Sequence, residues 1–126
     1  MRAIRQDIPI IESLAGSALP LPAAIEHPET GLLLAPEDVA SAELLVADLV
    51  AGSDQARALP IAQAIHAAQP WAEDERGYNS TAILLASECP APATRYAIAL
   101  KITTSDGYSL RQSWLLKTID ETYAAL

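Results

Sequence analysis

Residues Thr94 to Lys117 alternate apolar and polar side chains with a period of two, on both sides of the turn signal Ser105-Asp106-Gly107. Alternation of that length specifies half-buried strands, and an interrupting Asp-Gly specifies a hairpin. Tyr96, Ile98, Leu100 and Ile102 share one face of the first arm; Tyr108, Leu110, Trp114 and Leu116 share one face of the second. A two-residue loop would set Ile102 against Arg111 and mix the faces. A three-residue loop, with Gly107 left-handed, sets Ile102 against Leu110, Ile98 against Trp114 and Tyr96 against Leu116. Because a one-residue slip moves every side chain to the other face, the second register is the predicted one. Gln112, opposite Leu100, is then the sole polar residue on the apolar face. It requires a hydrogen-bond partner, expected from the backbone of a closing helix or of the proline-rich segment, or else it faces a wet cavity.

The same register sets Lys101 against Arg111 and Arg95 against Lys117. Like charges directly across a ladder are unfavourable, so something should offset them. Either acids such as Glu12, Glu43, Asp48 or Glu88 lie over that face or water screens it, or the ridge docks an acidic segment of a partner protein or of a second copy. The ridge stands out because the chain is otherwise acidic, with a net charge of −8. Residues 1–94 carry four basic and thirteen acidic side chains, whereas residues 95–126 carry four and three. That balance excludes a general nucleic-acid binder, whose footprint is basic.

A chain of 126 residues is expected to form a single domain spanning 1–126. At this size about two thirds of the unfolded surface can be buried, so no metal or disulfide staple is needed. Cys89 is the only cysteine, which points to a reducing, cytoplasmic setting. There is neither a signal-peptide pattern nor an apolar run of membrane-spanning length, so no membrane is expected as a partner.

Ahead of the hairpin the apolar spacing reads as helical. Asp7 and Pro9 open a first helix with Ile8, Ile11, Leu14, Ala15 and Ala18 on one stripe. Prolines 20, 22, 28 and 36 mark residues 19–36 as an extended connection lying on the body. Pro36-Glu37-Asp38 opens the strongest helix, with Val39, Ala42, Val46, Leu49 and Val50 on one face and Gly52 at its end. Ser53 or Asp54 caps a further helix, interrupted at Pro60 and ending before Pro70. Trp71 to Asn79, with the acids Glu73, Asp74 and Glu75, reads as a surface loop. Ser80 to Glu88 suits either element; its two alanines and two leucines favour helix, and as a strand it would join the hairpin as a third member through Cys89 to Pro92. Thr118-Ile119-Asp120-Glu121 is a capping box opening a short closing helix. The predicted fold is therefore α+β: a predominantly helical N-terminal two thirds (residues 1–88) packed on a C-terminal antiparallel β-hairpin, or a three-stranded meander, with that helix folding back.

Catalytic signatures are absent from the sequence. The five glycines form no phosphate-binding loop, and His27, between Glu26 and Pro28, reads as a solvated loop histidine rather than a metal ligand. His66 lies on the less apolar side of its helix, and Glu88 beside Cys89 discourages a thiolate. No catalytic residue, metal or cofactor is expected. Trp71, Tyr78 and Trp114 with the acidic cluster offer a loop either for anchoring or for partner binding. The function this supports is a small acidic cytosolic protein-binding or adaptor protein, neutralising, chaperone-like or scaffolding, without catalytic activity. Its contact ridge would be Arg95, Lys101, Arg111 and Lys117, and its partner another protein or a second copy. The alternative is a small-molecule-binding or enzymatic α+β barrel with a pocket lined by His66, Tyr96, Gln112 and Trp114.

Overall fold

The predicted hairpin forms the centre of a mixed sheet, and the strands around it come from segments whose spacing reads as helical. The computed structural model describes residues 8–67, 77–91 and 94–119. Its strands are β1 (Ile10–Leu14), β2 (Leu19–Ala23), β3 (Val39–Asp48), β4 (Asp54–Ala58), β5 (Ser80–Leu84), β6 (Arg95–Thr104) and β7 (Ser109–Ile119). Among the described residues the only α-helix is one turn, α1 (Ile61–Ala64). The expectation of a helical N-terminal two thirds, and with it the α+β assignment, is thus corrected to a mostly β fold. A five-stranded sheet runs β1-β7-β6-β3-β4, and β2 pairs with β5 in a separate ribbon. All pairings are antiparallel except β1 with β7.

The β6–β7 register is the predicted one: Ile98 faces Trp114, Leu100 faces Gln112, Ile102 faces Leu110 and Tyr96 faces Leu116. The Thr104 N–H donates to the Tyr108 carbonyl at 2.8 Å and the Gly107 N–H to the Thr104 carbonyl at 3.1 Å. Gly107 takes φ 97°, a left-handed conformation that glycine adopts without a Cβ penalty.

β3 supplies the third strand of the hairpin, pairing Leu44 with Leu100 and Val46 with Ile98. Pro36-Glu37-Asp38 starts helical winding as its composition predicts, but only one 3-10 turn forms before the chain extends at Val39. β3 then doubles back through Gly52 (φ 78°) into β4. The segment 80–88 is strand to Leu84. It joins β2 rather than the hairpin, so both sequence-based placements of it are superseded. In β2, Leu19, Leu21 and Ala23 take one face and Pro20 and Pro22 the other. Two prolines two apart direct their hydrogen-less nitrogens to the same edge, which here is the unpaired one.

The core lies between the ribbon and one face of the five-stranded sheet. Leu21 and Leu84 of the ribbon meet Leu44, Ile98, Leu100 and Ile102, all at most 1% exposed. Each such side chain contributes about 1.5–3 kcal/mol through removal from water. Leu59, Ala64 and Ile65 around α1 close one end of this core. Two buried polar groups tie the connections down. The Asn79 amide accepts from the Ile25 N–H at 2.7 Å and donates to the Ile25 and Leu34 carbonyls, both at 2.9 Å. Thr118, expected to cap a helix, is instead inside β7, where its hydroxyl accepts from the Thr94 N–H and donates to the Ala91 carbonyl. The remainder of the predicted closing helix, and the acidic residues 73–75 with Trp71, lie outside the described residues.

Candidate protein-binding face

With the core on one side, the other side of the five-stranded sheet is left without a covering element among the described residues. The pairings order its side chains into rows across the strands. One row is Glu43 (β3), Lys101 (β6) and Arg111 (β7); another is Arg95 (β6), Lys117 (β7) and Glu12 (β1). Between them lie Leu45, Ala99 and Ser113, then Ala47, Ala97, Leu115 and Ile10. A shallow groove of about 630 Å³ runs over this small-residue floor, bounded by Ile8, Leu45 and Leu115 and reaching Arg111. Ile10, 72% exposed, stands at its rim.

All four ridge residues therefore share one face, and both like-charge pairs are formed. Their neighbours partly offset them. Lys101 Nζ lies 4.0 Å from Glu43 Oε1, and Glu12 is the cross-strand neighbour of Lys117. In each row the acid sits beside the lysine, so among the described residues the two arginines, Arg95 and Arg111, are the ridge cations without an adjacent acid. Both are exposed. The other two acids expected over the face are elsewhere. Asp48 Oδ1 accepts the Val50 and Ala51 N–H groups of the β3–β4 turn. Glu88 is 5% exposed and takes Arg57 Nε and Nη2 at 3.2 and 3.0 Å.

The four residues expected to line a pocket are not brought together. His66 follows α1, its Nδ1 on the Ala67 carbonyl and its Nε2 on the Thr81 hydroxyl. The Tyr96 phenol is buried, accepts from the Ala91 N–H at 3.0 Å, and has its pKa raised first by that burial. Trp114 is in the core at 3% exposure, not at a loop. Gln112 faces an open hollow of about 470 Å³ with Ala24, Glu26, Ser109 and Leu110, while Trp114 and Tyr96 border two other hollows. Its amide donates to the neighbouring Ser113 carbonyl at 3.3 Å and not to the proline-rich segment; the expected closing helix lies outside the described residues.

Burial, then the charges of Glu88 and Asp48, push the Cys89 thiol up to about 12, so it stays protonated and non-nucleophilic at neutral pH. His27 is not solvated. Its Nε2 lies 2.8 Å from Asp106 Oδ2 in the β6–β7 turn, its Nδ1 accepts the Glu29 N–H, and its ring meets Tyr108 edge-on at 5.1 Å. The Tyr108 hydroxyl in turn donates to Glu29. With both ring nitrogens engaged, this histidine fastens one loop to another rather than serving as a free base. Sequence reasoning missed this latch, the Asn79 clip and the Arg57–Glu88 pair, because each joins residues more than thirty apart. Among the described residues, none of the His, Cys, Asp and Glu side chains group to hold a metal, and no helix is long and apolar enough to cross a membrane. No protein-family model, no curated protein and no solved structure matches the chain, so the face stands on its own geometry.

Proposed function

We propose that this chain acts by binding another protein, without catalysis and in the cytosol, and that the outer face of the five-stranded sheet is its contact surface. The observation that supports this reading most is the distribution of charge. A protein of net charge −8 gathers four cations at the two ends of a floor of alanine, serine and leucine that no described element covers, with Asp54 at its β4 side. Charge-depleted, apolar centres with polar and charged rims are how protein interfaces are built, and the rim charges steer the encounter. The acidic remainder repels phosphate chains, which favours a protein over a nucleic acid. A second copy laid ridge on ridge is disfavoured: both ends of the ridge carry a net positive charge, so any such overlay sets like against like. The partner is therefore an acidic segment of a different protein. The single cysteine, buried and protonated, supports the cytosolic placement.

The test is photocrosslinking in the native cytosol, with a benzophenone amino acid at Ala99 in the groove and, as a control, at Ile83 on the exposed side of the ribbon. A discrete adduct from position 99 alone, lost when Arg95→Glu and Arg111→Glu are introduced together in a variant with an unchanged circular dichroism spectrum, is expected. Adducts of equal pattern from both positions, or adducts indifferent to the charge reversal, would remove the face from consideration.

A further inference from the structure

Resting on that reading, we infer that the occupant of the face is an amphipathic helix bearing carboxylates at both ends, and not an extended strand. The first argument is backbone hydrogen bonding. β3 pairs with β4 and β6, β6 with β3 and β7, and β7 with β6 and β1. Under the middle of the groove β3 and β6 are thus paired on both sides and offer no free N–H or C=O, whereas β4 and residues 109–114 of β7 are edges among the described pairings. An extended segment laid there would leave its own inward groups unpaired, a cost that strand addition avoids only at a sheet edge. A helix arrives with its backbone bonds already made.

Shape gives the second argument. Ala97, Ala99 and Ser113 run along the middle of β6 and β7 between the larger Leu45 and Leu115. That is a trough with a floor of small side chains, into which the apolar stripe of a helix can settle while its polar side stays in water.

Charge supplies the third argument and the length. Arg95 and Arg111 belong to rows six residues apart along β6 and β7, a separation of about 20 Å at strand rise. On a helix the same span is about fourteen residues, a spacing that returns close to the same side of the helix. Each arginine then meets one carboxylate, for which its planar guanidinium is suited. The lysine beside each arginine is already offset by Glu43 or Glu12, so one acid at each end suffices.

The probe is a fluorescein-labelled peptide of about eighteen residues, capped at both termini, with a leucine and alanine stripe and Glu residues at the two ends. Two companions share its composition: one with paired central prolines that forbid helix, and one with Lys in place of the terminal Glu. Fluorescence anisotropy at low salt is the readout. The helical peptide is expected to bind, the proline peptide to bind at least about tenfold more weakly, and Ala99→Trp to weaken binding by a similar factor. Arg95→Glu with Arg111→Glu should lose the Glu-ended peptide and gain the Lys-ended one. Equal or tighter binding of the proline peptide, still sensitive to Ala99→Trp, overturns the helix while the face survives. Binding indifferent to Ala99→Trp and to the charge reversal overturns the face as well. No binding of the helical peptide overturns the helix and leaves the face to the crosslinking result.

Discussion

Asn79 is the residue whose removal should be felt most for its size. It is fully buried, and its amide completes the backbone bonding of Ile25 and Leu34, two points on either side of the 26–33 loop. Asn79→Ala leaves the Ile25 N–H and the Leu34 carbonyl without a partner in the interior, while the Ile25 carbonyl keeps the Leu34 N–H. An unsatisfied buried group costs about 1–3 kcal/mol, so a loss of about 3 kcal/mol or more is expected in urea unfolding. A loss under about 1 kcal/mol would mean that water replaces the amide. Asp106 makes a different kind of prediction. The Thr104 hydroxyl and then the His27 ring hold its carboxyl below the ordinary range. Its folded value therefore lies under the unfolded one, near pH 4. The stabilisation is present above that pH and is lost as pH falls through the folded value. Asp106→Asn should thus be less stable than the parent at neutral pH, with the gap closing in acid; a gap constant from neutrality to about pH 3 would contradict the latch.

At the scale of elements, the β6–β7 turn is the most sharply specified. A Cβ on Gly107 would meet no atom within 4 Å, so the cost of replacing it is conformational and not steric crowding. Gly107→Val should lower stability by about 1–2 kcal/mol, and Gly107→Asn by less, since asparagine tolerates the left-handed region; equal losses for the two would argue against it. The turn was legible in the sequence because its residues and the alternation around it agree. β3 was not, for a physical reason. A register shift between Val39 and Ser41 puts the inward residues Val39 and Ala42 three apart, and Leu45 and Ala47 keep the outward face apolar. The result imitates a helical stripe through Val39, Ala42 and Val46. Alanine adds to the imitation, since its helix propensity is high but yields to tertiary context. β2 hides its alternation behind two prolines, and β4 turns Gln55 and Arg57 inward to meet the carbonyl and carboxylate of Glu88. The candidate face was half legible. Its four cations followed from the hairpin register alone, whereas its floor and its acids Glu12, Glu43 and Asp54 needed β1, β3 and β4 to be recognised as strands.

Across the whole molecule, the pairings differ greatly in how much chain they close. β6 and β7 meet through three residues, and β3 and β4 through a short turn. By contrast, β3 reaches β6 across a long excursion, and β1 pairs with β7 between Ile10 and Leu115, nearly the length of the described chain. Closing longer loops costs more entropy, and folds dominated by such pairings fold slowly. The β6–β7 hairpin with β3 docked on it should therefore form the folding nucleus, and β1 should add last. Ile98 lies at the centre of that nucleus, 1% exposed between Val46 and Trp114. Ile11 packs on the same core, but from β1. Truncating Ile98→Val should act chiefly on the folding rate, giving a φ-value of about 0.5–0.8, whereas Ile11→Ala should act chiefly on unfolding, with a φ-value of about 0–0.3. Stopped-flow chevrons of the two variants against the parent measure both. A high value at Ile11 with a low one at Ile98 would mean that the parallel closure of the sheet precedes the hairpin, and the ordering by loop length would have to be abandoned.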